Sequence, residues 1–258
     1  MKSRFIEALK KLSQSSISPL GFGRRKEGAK SPMLLIAALD AVSGERLPES
    51  LSPVDALIFA GSKAGKDALR QSMKSNPAPW GMALKSSKDT AEAKELGFDF
   101  IVFSAQETEA SILRTEEVGK VMEINMNLAD SQLRSVELLP VDALLLPFPA
   151  KASSLTVENL LAYQRIDLLV TKPLIGYVPA KISGEDLRLL WEAGLDGAVI
   201  KAEGLSGKEV ERLREVTKSF PPHRGEKKRF EALLPSIAAT IPGEQEDEPE
   251  QGRPAGGG

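Results

Sequence analysis

An α/β fold, eight parallel strands closed into a ring and covered by helices, is what this sequence predicts, and three observations predict it. First, a turn residue, an apolar residue, an aspartate and an apolar run recur four times. They open as Pro53-Val54-Asp55, Gly97-Phe98-Asp99, Pro140-Val141-Asp142 and Gly194-Leu195-Asp196, with aspartates 44, 43 and 54 residues apart. Second, another set of short apolar runs falls between them, at residues 33–39, 80–84, 121–126 and 173–178. Third, the segments separating these runs carry helical signals. Continuous apolar strands alternating with amphipathic helices argue for a parallel sheet covered by helices. Eight such units in about 190 residues fit a closed (β/α)8 barrel, the TIM barrel. An open doubly wound sheet is the alternative. The even fourfold repeat favours closure, because in a ring every unit occupies an equivalent place.

Taken in order, residues 1–30 are a basic segment holding eight Lys or Arg against two Glu, net +6. Its helix sets Phe5, Ile6, Leu9 and Leu12 on one face. Such a helix either closes the floor of the domain or lies on an anionic lipid surface, so residues 1–16 are the one stretch suited to membrane-surface or protein contact. The barrel is expected over residues 31–222. Two helix starts inside it are explicit: Ser206-x-x-Glu209 is a capping box and Ser183-x-x-Asp186 a near match. The repeated aspartates stand at strand starts, on the face of a barrel that serves stability, where capping the preceding helix–strand turn is the expected task. Phe230, Leu233, Leu234 and Ile237 suggest a short helix within residues 223–243. Residues 244–258 carry five acids and Arg253 among prolines and glycines and are expected to be disordered.

Composition then narrows the chemistry. Among 258 residues there is no cysteine and one histidine. Disulfide frameworks, thiolate metal sites and cysteine nucleophiles are excluded, as is a multi-histidine metal cage. No cofactor is called for. The net charge of −2 gives no pull towards nucleic acid. No apolar run approaches the roughly 20 residues of a bilayer-crossing helix, and Glu7, Lys10 and Lys11 interrupt any secretory h-region; a cytoplasmic protein is the default. Gly61-Ser62-Lys63-Ala64-Gly65-Lys66-Asp67 imitates a P-loop, but it has one residue too few between its glycines, and Asp67 replaces the magnesium-binding hydroxyl. His223 lies beyond the last strand and far from every strand end.

Barrel chemistry belongs to strand C-termini and the loops after them. Those positions carry Asp40, Ser62, Lys63, Lys85, Ser104, Gln106, Asn125, Asn127, Lys151, Tyr177, Lys181, Lys201 and Glu203. The ring is polar and lysine-rich, which suits an anionic substrate and equally suits a solvated rim. Asp40, ending the first strand, is a candidate general acid or base. Lys85 and Lys201 directly continue apolar runs. Desolvation lowers a lysine pKa, so both are candidate catalytic amines. Lys151, Lys181, Glu203 and Asn125 are the candidate substrate contacts.

Two stretches resemble the phosphate-binding (β/α)8 barrels of the histidine, tryptophan and thiamine pathways. Ile36-Ala37-Ala38-Leu39-Asp40 is similar to their first strand, and residues 184–200 to their seventh helix and eighth strand. The resemblance implies a catalytic role for Asp40. It also implies a glycine-rich phosphate cradle after strands seven and eight, and an isomerase's aspartate on strand five. This chain departs from that pattern. Val178-Pro179-Ala180-Lys181 and Lys201-Ala202-Glu203-Gly204 occupy the cradle positions, and strand five offers Asn125 and Asn127. Two functional readings follow. One is a lyase or isomerase of a small anionic metabolite, phosphorylated or carboxylated. The other is a non-catalytic barrel acting as a binding or interaction module.

Overall fold

The computed structural model describes residues 3–14, 31–40, 54–60, 66–148 and 155–220. Eight strands close into one parallel barrel in chain order: β1 (Leu34–Leu39), β2 (Ala56–Phe59), β3 (Trp80–Ala83), β4 (Phe100–Ser104), β5 (Gly119–Glu123), β6 (Ala143–Leu146), β7 (Leu174–Tyr177) and β8 (Gly197–Lys201). The ring shuts between β8 and β1, where Leu34 faces Gly197 and Ala38 faces Lys201. Closure rather than an open sheet is therefore the outcome, and each predicted apolar run carries one strand.

Among the described residues seven α-helices accompany the strands: α1 (Arg4–Gln14) precedes them, and α2 (Lys66–Ser75), α3 (Asp89–Leu96), α4 (Asp130–Val136), α5 (Val157–Leu169), α6 (Gly184–Glu192) and α7 (Gly207–Lys218) follow β2, β3, β5, β6, β7 and β8. After β4 a 3-10 turn, Ala110–Arg114, takes the place of a helix. The predicted caps form: Ser183 Oγ accepts the Asp186 N–H at 2.9 Å and Ser206 Oγ accepts that of Glu209 at 3.2 Å. None of the described helices is long and apolar enough to cross a membrane.

Strand side chains alternate. Leu35, Leu57, Ile101 and Leu144 face the helices, whereas Ile36, Ile58, Phe100, Val121, Leu145, Ile175 and Val199 fill the barrel. α1 completes that interior. Phe5, Ile6 and Leu9 are buried with the inward strand residues, and Phe5 stacks on Phe100 with ring centroids 4.2 Å apart. Two glycines make the space. A Cβ at Gly119 would stand 2.6 Å from Ile6, and one at Gly81 would stand 2.1 Å from the Phe100 ring. The apolar face of α1 is thus inside the barrel, as the floor-closing alternative expects.

The four repeated aspartates do a different job from the predicted turn caps. Each backbone N–H extends the sheet by bonding the strand before it, as in Asp55 to the Leu35 carbonyl at 2.8 Å. Three side chains then accept the N–H of that same neighbour: Asp55 from Leu35, Asp142 from Lys120 and Asp196 from Leu174. A carboxylate can reach sideways across a strand start because the ladder there has a donor left over. Asp99 instead caps the start of α1, accepting from Ser3 Oγ at 2.7 Å and from the Arg4 and Phe5 N–H groups at 2.9 Å. Arg214 of α7 meets Asp55 at 2.8 Å, and Lys10 of α1 meets Asp142 at 3.2 Å. The short helix expected within residues 223–243 and the tail 244–258 lie outside the described residues, as does His223.

Candidate functional site

The mouth, where the strands end, is built by the same alternation that fills the core. Ala38, Ala83, Val102, Val121, Ile175 and Val199 all belong to the interior cluster. Two residues further on, with the same facing, come Asp40, Lys85, Ser104, Glu123, Tyr177 and Lys201. Asp40, Lys85 and Lys201 are exposed; Ser104, Glu123 and Tyr177 are half-buried. The sequence-predicted Asp40, Lys85 and Lys201 thus each stand at or just past the C-terminal end of a strand, β1, β3 and β8. Lys181 and Glu203 are exposed in the turns after β7 and β8. Lys151, Ser62 and Lys63 lie outside the described residues.

Glu123 is the residue that sequence reasoning missed. The apolar run of strand five was read as residues 121–126, which buried Glu123 in mid-strand and put Asn125 at its end. The strand instead covers Gly119–Glu123, so a carboxylate ends it. Counting in twos from Val121 would have found it. Asn125 and Asn127 belong to the following turn, where the Asn125 side-chain oxygen accepts the Asn127 N–H at 2.8 Å. Arg165 of α5 holds that turn from below. Its Nε meets Asp130 at 2.8 Å, its Nη1 donates to the Met126 carbonyl at 3.3 Å, and its Nη2 donates to the Leu128 carbonyl.

Two groups at the mouth have displaced proton affinities. Burial pushes the Glu123 carboxyl above its ordinary range, and the nearby Glu107 charge adds to the effect. Burial likewise pushes the Tyr177 phenol up to about 12, with the Glu123 and Asp40 carboxylates adding to it. Of the two carboxylates, Glu123 weighs more on the phenol than Asp40. Tyr177 stays neutral and offers an O–H donor. On the β4 side, the Glu109 carboxyl is held below its ordinary range by hydrogen bonds from Ser87, whose N–H lies 2.9 Å away. The Lys85 and Ser86 N–H groups both reach Asp89 at 3.1 Å. These bonds pin the loop after β3 and with it the start of the Lys85 side chain.

Lys85 and Lys201 do not have the desolvated surroundings that their sequence positions suggested. Each stands one residue past the packed interior, and a four-carbon stem carries its ammonium into water. Among the described residues no group of three or more Asp, Glu or His is arranged to hold a metal ion.

The chain matches no protein-family model and no curated protein. Solved structures do superpose on it. Thiamine phosphate pyrophosphorylase from Pyrococcus furiosus shares 16% identity at a TM-score of 0.54, over 72% of this chain and 96% of that one. For 3-hexulose-6-phosphate synthase from Salmonella typhimurium the figures are 16%, 0.56, 72% and 98%. For N-(5'-phosphoribosyl)anthranilate isomerase from Pyrococcus furiosus they are 14%, 0.51, 72% and 98%. The shared fold is the (β/α)8 barrel. The resemblance drawn from Asp40 and residues 184–200 therefore holds for architecture. Identities this low carry no residue roles, and this barrel's chemistry has to be argued from its own mouth.

Proposed function

We propose that the mouth is an acid–base site for a small anionic metabolite, phosphorylated or carboxylated, and that the reaction is an isomerisation or a lyase-type cleavage driven by proton transfer. What supports this reading is the half-buried Glu123 and Tyr177 ending β5 and β7, with the Glu123 carboxyl shifted towards neutrality and the Tyr177 phenol raised in part by the Glu123 and Asp40 charges. A carboxyl raised by burial and a second, exposed carboxylate form the kind of unlike pair that supplies an acid and a base together. Glu123 is the proton donor in this scheme and Asp40 the acceptor. Tyr177 donates a hydrogen bond to oxygen that gains charge as the proton moves. Lys201, Lys181 and Lys85 attract the anion, with Glu203 beside them. An amine nucleophile is not part of this reading, because both candidate lysines are exposed. The superposed barrels carry names built on phosphorylated compounds, which supports testing such compounds first.

The test is a thermal-shift screen of sugar phosphates and small carboxylates, followed by turnover assays on any hit. The expected result is a compound that stabilises the wild type, fails to stabilise Lys201→Ala, and is turned over by wild type but not by Glu123→Gln. A stabilising compound that neither protein turns over would favour the second reading, a binding module. The exposure of Asp40, Lys85 and Lys201 is the observation on that reading's side.

A further inference from the structure

One flank of the barrel carries apolar side chains on its outside. Among the described residues, the large hydrophobics left open to solvent are Leu138, Val157, Leu161, Leu168 and Leu189, from 37% exposed at Leu189 to 87% at Leu138. All five lie on neighbouring elements: the turn after α4, then α5, then α6. Val157, Leu161 and Leu168, at i, i+4 and i+11, share one face of α5, while Tyr163 and Ile166 bury the opposite face. A helix that is apolar on both sides is normally covered on both, and clustered apolar surface marks a contact. The outward face of α7, by contrast, carries Lys208, Glu211, Glu215 and Lys218.

A second observation is electrostatic. α1, α2, α3, α4 and α7 each place a Lys or Arg in their last turn, whereas α5 and α6 place none. The carbonyls at a helix C-terminus favour a nearby cation, so these two ends are the ones that cations from elsewhere would complement.

The third observation is where the described chain ends. The Phe220 ring lies 5.6 Å from that of Trp191, in the last turn of α6. The turn after α6 in turn meets α5, since a Cβ on Gly194 would stand 2.4 Å from that of Asp167. The chain therefore leaves the barrel at the floor, beside α6 and close to the end of α5. Beyond it come Lys227, Lys228 and Arg229, then Phe230, Leu233, Leu234 and Ile237 at i, i+3, i+4 and i+7, the spacing of a helical apolar stripe. The nine residues 221–229 reach at most about 30 Å. Passing α6 to arrive at α5 takes two helix spacings, about 20 Å.

We infer that residues 230–237 form a helical segment that covers the exposed face of α5. Phe230, Leu233, Leu234 and Ile237 pack on Leu168, Leu161 and Leu189, and Lys227, Lys228 and Arg229 lie over the C-terminal ends of α5 and α6. Coming from the floor, the segment meets the carbonyl ends first and the leucines next. Its own cations and apolar residues follow one another in that same order.

The chain has no cysteine, so an introduced pair reports its own proximity in the full-length protein. Leu168→Cys with Leu234→Cys is expected to close an intramolecular disulfide under mild oxidation, read as a monomer that migrates faster without reductant than with it. Lys74→Cys with Leu234→Cys is the control. Lys74 is exposed at the floor end of α2, and α2 follows β2 as α5 follows β6, each two strands from β8. The control pair is expected to close at least tenfold more slowly. Adding Phe230→Glu and Ile237→Glu to the first pair is expected to slow its closure at least tenfold. No closure of the first pair, equal rates for the two pairs, or a rate that ignores the two glutamates would overturn the inference. Covalent dimers in place of the fast monomer would overturn it in favour of a second copy on this face.

Discussion

The two ends of this barrel use the same residue types in opposite ways. At the floor, charged side chains have partners in the backbone. Lys120 Nζ donates to the Leu113 and Thr115 carbonyls, and Lys172 Nζ to those of Leu139 and Val141. The four aspartates accept strand or helix N–H groups, and Glu137 accepts from Thr171 and Lys172. At the mouth, Lys85 and Lys201 stand exposed, and the half-buried Glu123 is raised by desolvation rather than lowered by donors. A charge that closes a ladder stabilises the fold, whereas a charge held away from its neighbours is available to a ligand. At the mouth, Asn125, Asp89 and Glu109 brace the loops, whereas Lys85, Lys201 and Glu123 end or follow strands without their side chains closing a ladder.

That contrast can be broken or sharpened by substitution. Phe5→Ala should have the largest effect, lowering unfolding free energy by about 3–5 kcal/mol because it empties the stacked centre of the floor; urea titration measures it. Asp99→Ala should come next, at about 2–3 kcal/mol, since three donors at the start of α1 lose a charged acceptor. Asp40→Asn and Lys201→Ala should each stay within about 0.5 kcal/mol of wild type in the same titration. A loss comparable to that of Asp99→Ala would mean that the mouth is structural after all.

Glu123→Gln should have the smallest and most informative effect. A carboxyl raised in the folded state stabilises it below its unfolded pKa, and that stabilisation is lost as pH rises through the folded value. The variant should therefore gain on wild type as the pH is raised above the ordinary carboxylate range of about 4, which paired melting curves would show. A constant difference across that range would mean that Glu123 is an ordinary solvated carboxylate.

Much of the fold was legible because its signals are local and repeated. Pro53-Val54-Asp55 and its three counterparts each mark a strand start, and Ser183 and Ser206 mark helix starts. The site was less legible. Strand five ends at Glu123, but Ile124 and Met126 continue the apolar pattern, and apolarity alone does not say where pairing stops. The bonds of Asp99 were hidden for another reason. Its heptapeptide reads like the other three, and only the arrival of α1 in space diverts its carboxylate. Desolvation of Lys85 and Lys201 depends on their surroundings in space, which a run of apolar neighbours in sequence does not determine.

The docking of α1 also has a consequence for the order of events during synthesis. Phe5 and the carboxylate that receives its N–H are 94 residues apart, and Phe100, on which the ring stacks, follows directly. As the chain is made, α1 has no seat until β4 has followed it. Its apolar face stays open to solvent, or to whatever holds nascent chains, while the 94 residues between are added. In this barrel a helix made ahead of all eight strands is among the last elements to be placed.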